Sequence, residues 1–151
     1  MTPSLTDLEK GQSIGQRTVE LSRADLIRYA AASGDHNPIQ WNDRFAAEVG
    51  LDGVIAHGML TMAVAVELVI AWAGDPTKVV DYQTRCTQPV PVPEPEHGSP
   101  ETPTAALEVS GKVGRVDAES QTARIDLSVE LASGDARSKV LTKAQAVVVL
   151  N

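Results

Sequence analysis

Polar and apolar residues alternate along several segments in the second half of the chain. Residues 79–88, 107–113 and 123–131 alternate with a period of two, and residues 139–150 do so with a more continuously apolar end. Residues 14–21 carry a weaker version of the pattern. A two-residue period with one polar face is typical of an antiparallel sheet that is covered on one side. The sequence therefore predicts four or five antiparallel strands.

The first of the strongly alternating segments, residues 79–88, also predicts which side chains face the core. Its apolar positions are Val80, Tyr82, Thr84 and Cys86, and polar residues stand between them. We expect these four to share the covered face. On this interpretation Cys86 is a small core residue rather than a reactive thiol.

Two connections between the strands are visible in the sequence. The letters ASGD at residues 132–135 predict a hairpin turn. Residues 88–104 hold six of the nine prolines, and proline is excluded from central strands. We expect this proline-rich segment to be an extended connection; a proline-recognition segment is the alternative.

Two short helices are predicted in the first third of the chain. Ser22 is a natural helix cap, and Asp25 three residues later completes a capping-box pattern. Gly34 predicts the end of that helix. A second helix is predicted to begin with Asp43 as its cap and to end at Gly50.

A third, longer helix is predicted over residues 59–73 and ends before Gly74. Its residues are apolar on nearly every side, with Thr61 and Glu67 as the exceptions. A helix that is apolar all round is typical of a buried helix. The simplest fold wraps the sheet around this helix, which is an α+β arrangement in a single domain over residues 1–151.

Composition and charge exclude several classes of function. The chain has 151 residues and a net charge of −7, without a run of lysine or arginine, which argues against binding to nucleic acid or to an anionic membrane surface. One cysteine and no signal-like N-terminus predict a cytoplasmic protein. Three histidines without metal-ligand spacing predict no metal site. The longest uncharged stretch, residues 53–66, is too short to span a membrane.

The candidate chemistry lies in SGDHNPIQW, residues 33–41, between the first two predicted helices. This stretch holds the carboxylate of Asp35, the imidazole of His36, a turn-forming Asn37-Pro38 pair and the amide of Gln40. An aspartate or asparagine before a proline commonly forms a turn. From these residues alone, either a plain turn or an active-site loop is possible.

Three stretches together resemble a known family. YAAASGDHNPIQW, GVIAHGML and RCTQPVPVP are similar to segments of the MaoC-like (R)-specific enoyl-thioester hydratases and (3R)-hydroxyacyl-thioester dehydratases. The resemblance covers about residues 10–150. It implies the hotdog fold, in which an antiparallel sheet wraps around a long central helix. It also implies addition or removal of water across the α,β bond of an acyl thioester.

The resemblance assigns roles to particular residues. It places Asp35 and Gln40 at the catalytic positions, Gly58 as the donor of a backbone N–H to the thioester oxygen, and Asn37 and His57 as loop-shaping or substrate-binding residues. Position 40 is a departure, because the family has histidine there. A glutamine hydrogen-bonds a hydroxyl or a water, but it has no accessible pKa and does not shuttle a proton near pH 7.

Each of these residues also has a plainer interpretation. Asp35 is a common turn cap, His57 is a packed residue that holds the loop, and Gly58 is an ordinary helix-start glycine. His36 is either a displaced base or a histidine that faces solvent. We assign no chemistry to Glu67.

Three functions follow from the resemblance. The first is a hydro-lyase for (3R)-hydroxyacyl or trans-2-enoyl thioesters of coenzyme A or an acyl carrier protein, with no further cofactor. The second is a catalytically impaired subunit that forms the substrate groove of a heterodimeric dehydratase, and the third is a thioester double-bond isomerase.

The expected partners are the thioester substrate, a second hotdog subunit in a homodimer or heterodimer, and an acyl carrier protein. An acidic carrier needs a local basic patch on this acidic chain. The available residues are Arg17, Arg23, Lys78, Arg85 and Arg137.

Overall fold

The computed structural model describes residues 2–150, which form one five-stranded antiparallel sheet with a long helix against it. The spatial order of the strands is β1-β3-β4-β5-β2. This arrangement confirms the predicted α+β class and all five predicted strands. In chain order the elements are β1 (Ser13–Leu21), α1 (Arg23–Ser33), α2 (Asp43–Glu48), α3 (Gly58–Ala73), β2 (Val79–Cys86), β3 (Ala105–Asp117), β4 (Thr122–Ser133) and β5 (Ala136–Val149).

The sheet wraps around α3, which contacts all five strands. Core positions on the helix, such as Ala65 and Val69, are fully buried against the alternate apolar residues of the strands. The two edge strands both touch the helix: Arg17 of β1 pairs with Glu67 at 3.2 Å, and Tyr82 of β2 donates a hydrogen bond to the Met62 carbonyl at 3.0 Å. The helix therefore lies inside a curved sheet that leaves a gap between β1 and β2.

One side of α3 is not covered in the single chain, contrary to the prediction that the helix is buried all round. Met59, Ala63, Glu67 and Ala71 are exposed, and Met59 is 63% exposed. Their spacing of four residues places them in one stripe along the helix. The apolar composition indicates burial, but the described residues leave this stripe open.

The ends of α1 are those that the sequence predicts. The Ser22 hydroxyl accepts a hydrogen bond from the Asp25 N–H at 3.2 Å, and the Asp25 carboxylate accepts one from the Ser22 N–H at 2.9 Å. Gly34 ends the helix with φ 75, in the left-handed region that favours glycine.

The predicted cap of α2 is wrong by one residue. Asn42 is the N-cap, and its Oδ1 accepts a hydrogen bond from the Phe45 N–H at 3.1 Å. The helix ends at Glu48, before Gly50. Asp43 does not cap the helix, because its carboxylate is bound by Arg23 at 2.8 Å and by the Val54 N–H at 3.0 Å.

The predicted inward face of β2 is correct for only half of its members. Tyr82 and Thr84 are partly buried, but Val80 is 58% exposed and Cys86 is exposed. The register against β5 shifts twice within this short strand. The first shift adds a residue to β2 at Val80, which is exposed, whereas the second adds a residue to β5. Cys86 is the last residue of β2, and its sulfur approaches Gly58.

The proline-rich segment is an ordered connection between β2 and β3. The Arg23 guanidinium donates to the Val92 carbonyl and lies 3.8 Å from Glu94. The Ala24 N–H donates to the Pro100 carbonyl at 2.9 Å. These contacts fix the segment against the start of α1. No helix among residues 2–150 is both long and apolar enough to cross a membrane.

Candidate functional site

The loop between α1 and α2 is folded by its own polar side chains. One carboxylate oxygen of Asp35 accepts a hydrogen bond from the Asn37 N–H at 3.2 Å, and Asn37 Oδ1 accepts one from the Ile39 N–H at 3.2 Å. The second bond caps a short 3-10 turn, Pro38–Gln40, in which proline occupies the first position. The Asp35 side chain is left exposed.

Two hydrogen bonds join this loop to the segment that precedes α3. His57 Nε2 lies 3.2 Å from the Asp35 carbonyl oxygen, and the Ile55 N–H donates to the Ile39 carbonyl at 3.1 Å. The two stretches are separated by about twenty residues in sequence, and these bonds place them side by side. The motif around Asp35 and the motif around Gly58 therefore meet in the fold.

His57 is a packed residue at this junction. Its side chain is 1% exposed, and its ring lies against Tyr29 with a centroid distance of 4.7 Å. A carbonyl oxygen only accepts hydrogen bonds, so His57 must be the donor to Asp35. The bond therefore assigns the ring proton to Nε2. Nδ1 is buried and has no hydrogen-bond partner among the described residues. The geometry favours the positioning role over the catalytic one.

Gly58 begins α3 beside a small cavity. His57, the N-cap, makes no side-chain cap within the described chain, so its side chain does not satisfy the first amides of the helix. The cavity has a volume of about 270 Å³ and a mainly apolar wall that includes Thr61, Cys86 and Leu141. A Cβ at position 58 would lie 3.0 Å from the Cys86 sulfur. Glycine at this position therefore leaves room for the Cys86 side chain.

Gln40 lies at the end of the 3-10 turn and is 7% exposed. Its Oε1 is buried without a hydrogen-bond partner in residues 2–150. An unpartnered buried acceptor costs stability in the folded chain. The amide itself does not exchange protons near neutral pH.

His36 and Trp41 lie on the outside of the loop. The His36 side chain is exposed, and its carbonyl accepts a hydrogen bond from Trp41 Nε1 at 3.0 Å. Trp41 is 53% exposed and lies over the loop. Trp72, in contrast, packs partly buried against the core.

An ion pair between the buried Arg23 and the partly exposed Asp43 supports the segment before α3. Both Arg23 Nη2 and the Val54 N–H bind the Asp43 carboxylate, at 2.8 Å and 3.0 Å. Partial burial acts to raise the pKa of Asp43, but the Val54 and Arg23 contacts outweigh it and hold the pKa below its usual range. Arg23 therefore orients α2 and residue 54 together.

Tyr82 is close to the cavity wall but is not suited to proton transfer. Burial, with a smaller contribution from Cys86, raises the pKa of Tyr82 to about 12. Its hydroxyl is engaged with the Met62 carbonyl at 3.0 Å. Tyr82 therefore anchors β2 to the central helix.

The predicted site residues are not all brought into one cavity. A hydrogen bond joins the loop at Asp35 to His57, which precedes Gly58, but the lining of the cavity beside Gly58 includes neither Asp35 nor Gln40. Cys86, which the sequence placed in the core, lines this cavity instead. No group of three or more His, Cys, Asp and Glu side chains in the described chain is arranged to hold a metal ion.

Residues 7–124 of the chain match the MaoC like domain. The chain belongs to the MaoC-like domain family. A similar curated protein is 3-hydroxyacyl-thioester dehydratase X of Mycobacterium tuberculosis, 40% identical over 75 residues. Another is fatty acid synthase subunit beta of Gibberella zeae, 46% identical over 71 residues. The matches span half of this MaoC-like chain or slightly less, but only 26% and 3% of those two proteins.

Solved structures share the fold along nearly the whole chain. A MaoC-like dehydratase superimposes with a TM-score of 0.86 at 35% identity, covering 99% of this chain and 43% of that one. The (R)-hydratase of A. caviae involved in PHA biosynthesis superimposes with a TM-score of 0.77 at 21% identity, covering 96% and 98%. The MaoC-like chain therefore has the hotdog fold that the sequence motifs implied.

Proposed function

We propose that this chain is a hydratase or dehydratase domain for 3-hydroxyacyl and trans-2-enoyl thioesters of coenzyme A or an acyl carrier protein. The observation that carries the proposal is the hydrogen bond between His57 and the Asp35 carbonyl. It ties the backbone of Asp35 to the residue that precedes α3, and the first N–H groups and the dipole of that helix favour the negative charge that develops on a thioester oxygen.

The proposed chemistry divides the work among three groups. Dehydration needs a base at the α-carbon, an acid for the departing hydroxyl and a donor for the charge that develops on the thioester oxygen. Asp35 exchanges the protons, and the Gly58 N–H stabilises the thioester oxygen. Gln40 Oε1 accepts a hydrogen bond from the hydroxyl or water. No cofactor is needed, because the thioester itself acidifies the α-carbon.

The experiment is hydration of crotonyl-coenzyme A, followed by loss of the enoyl absorbance. We expect slow turnover that Asp35→Asn abolishes and that the matched loop variant Asp52→Asn leaves unchanged. Turnover that survives Asp35→Asn would remove Asp35 from the mechanism. Absence of turnover with both coenzyme A and carrier-protein thioesters would remove the hydratase proposal for the chain alone.

The buried amide of Gln40 favours a second candidate function. Gln40 gives Asp35 no titratable partner at this position. The chain would then be a subunit that forms part of the substrate groove, while another MaoC-like chain performs the proton transfer. Gln40→His discriminates between the two. A rise in turnover of orders of magnitude would support an intact groove that lacks only the proton shuttle. Unchanged inactivity, together with co-purification of a histidine-bearing MaoC-like chain, would support the subunit role.

A second hotdog subunit is the proposed partner in either case. The open stripe on α3 and the unpaired edge of β2 are surfaces that pairing would cover. A similar fold is solved as the ChsH1–ChsH2 complex from Mycobacterium tuberculosis, with a TM-score of 0.75 at 14% identity. Light scattering tests the proposal: we expect a dimer mass that Ala63→Glu, in the stripe, reduces to a monomer. Ala47→Glu, on the exposed face of α2, is the matched control.

A further inference from the structure

The outer face of the sheet carries a cluster of positive charges, although the chain as a whole is acidic. Three of the five lysines in the chain, Lys112, Lys139 and Lys143, line one concavity of about 530 Å³. We call it the lysine pocket and define it by these three residues together with Ser110 and Ser128 of its floor. All three lysines are exposed, and they come from β3 and β5 on either side of β4.

Two irregularities in the strands shape the lysine pocket. Opposite Ser128 the β4–β5 register shifts, so that Thr142 and Lys143 occupy the space of one residue. Lys143 has φ 50, a left-handed conformation that is rare for lysine. A second shift, between Ser13 and Gly15 of β1, lies opposite Lys112. Bulges of this kind redirect side chains and are common beside functional sites.

The charge of the lysine pocket is not neutralised within the described chain. None of its lysines has a carboxylate oxygen within 4.0 Å among residues 2–150. One carboxylate, Asp126, lines the concavity, and Arg124 already binds both of its oxygens, at 2.9 Å and 3.2 Å. Glu130 is the register partner of Lys139 but is not part of the lining. The concavity therefore presents three ammonium groups against one neutralised carboxylate.

Hydroxyl groups complete the lining. Ser110 and Ser128 lie directly opposite each other on β3 and β4, and Ser13 and Thr142 stand at the two bulges. Ammonium groups with hydroxyl donors around them form the chemistry that recognises phosphate oxygens. The volume is in the range of small-molecule sites and exceeds the needs of a single ion.

We propose that the lysine pocket binds the phosphate groups of a nucleotide-sized phosphorylated ligand. The nucleotide end of coenzyme A and a free nucleotide both offer this chemistry. The pocket lies on the outer face of the sheet, and its binding does not depend on the proposed hydration reaction.

Calorimetric titration of the full chain tests this proposal with four probes. Adenosine 3′,5′-bisphosphate and coenzyme A are expected to bind saturably, inorganic phosphate more weakly, and pantetheine, which lacks phosphate, not at all. Tighter binding of coenzyme A than of the bisphosphate, weakened in turn by Lys143→Gly, would assign the lysine pocket to coenzyme A. Equal binding of the two would assign it to nucleotides in general.

Three variants locate the binding. Lys143→Gly removes a charge and relieves the positive φ, so the variant is expected to fold at least as well as the parent. It should weaken bisphosphate binding by roughly tenfold, as should Lys112→Ala. Lys78→Ala removes the same charge outside the pocket and should change the affinity by less than about twofold.

Three results would overturn the proposal. The first is no saturable binding of either nucleotide probe at millimolar concentration. The second is equal weakening by Lys78→Ala and Lys143→Gly, which would indicate a general effect of net charge. The third is inorganic phosphate binding as tightly as the bisphosphate, which would exclude a nucleotide-sized ligand.

Discussion

His57 Nε2 and the Asp35 carbonyl oxygen lie 3.2 Å apart, and this contact joins the start of the central helix to the loop that carries the candidate catalytic carboxylate. The histidine is buried and the aspartate side chain is exposed. A rigid, buried donor thus holds the backbone of a residue whose side chain is free to meet a ligand. Such support from a neighbouring packed residue is what keeps a site in a fixed geometry.

Replacement of His57 should therefore destabilise the fold and disorder the loop. We expect His57→Ala to lower the free energy of unfolding by about 2–4 kcal/mol, because a buried ring contact and a buried hydrogen bond are both lost. Urea unfolding measures the change. His36→Ala, an exposed histidine of the same loop, is the control and should stay within about 0.5 kcal/mol of the parent. Equal effects of the two variants would contradict the positioning role.

Gly58 and Cys86 should be energetically coupled. A Cβ at position 58 would lie 3.0 Å from the Cys86 sulfur, closer than ordinary van der Waals contact. We expect Gly58→Ala to cost about 1 kcal/mol of stability, and Cys86→Ala in the same chain to recover most of it. A double-mutant cycle measures the coupling. Additive effects of the two substitutions would show that the sulfur moves aside without cost.

Asp43 should make the fold sensitive to acid. Its pKa is lowered in the folded state, so the contribution to stability is complete above the unfolded pKa near 3.8 and is lost as the pH falls through the lower folded pKa. We expect Asp43→Asn to reduce the free energy of unfolding at pH 7 by about 1 kcal/mol, a small value because the carboxylate is partly exposed. The difference in unfolding free energy from the parent should shrink as the pH falls below about 4.

Urea unfolding at several pH values measures the dependence on Asp43. Asp135→Asn, in the β4–β5 turn, is the control with a carboxylate outside this ion pair. If the free energies of unfolding of the parent and Asp43→Asn differ by a constant amount across the acidic range, the stability does not depend on ionisation of Asp43.

The sequence predicts the parts of this fold that local physics determines. Alternation identifies β3 and β4 because one face of each is buried over most of its length. Ser22, Asp25 and Gly34 mark the ends of α1 because helix ends have local hydrogen-bonding rules. The sequence shows the motifs around Asp35 and Gly58, but it does not show that they are adjacent in the fold. Their adjacency depends on the hydrogen bond between Asp35 and His57, which lie 22 positions apart.

The features that the sequence does not predict depend on register and on distant residues. Cys86 is exposed because it lies at the end of β2, beside the cavity next to Gly58. Asp43 does not cap α2 because Arg23, twenty positions earlier, binds its carboxylate. The lysine pocket also has no signal in the sequence, because Lys112 and Lys143 lie on strands separated by β4 and are directed by bulges.

If two copies of the chain pair through their β2 edges, the strength of the dimer should depend on the charges of Asp81 and Arg85. If two copies of β2 pair antiparallel about Gln83, Asp81 of each copy lies opposite Arg85 of the other, on the same face of the sheet. Arg85→Asp then places like charges opposite each other twice, and we expect it to weaken the dimer by roughly tenfold to a hundredfold. Asp81→Arg combined with Arg85→Asp reverses both charges and should restore the parent affinity. Sedimentation equilibrium measures the dimer dissociation constants of the parent, of Arg85→Asp and of the double variant. If the double variant dimerises no more tightly than Arg85→Asp, this register is excluded. Reversing both charges restores attraction only when the two residues lie opposite each other.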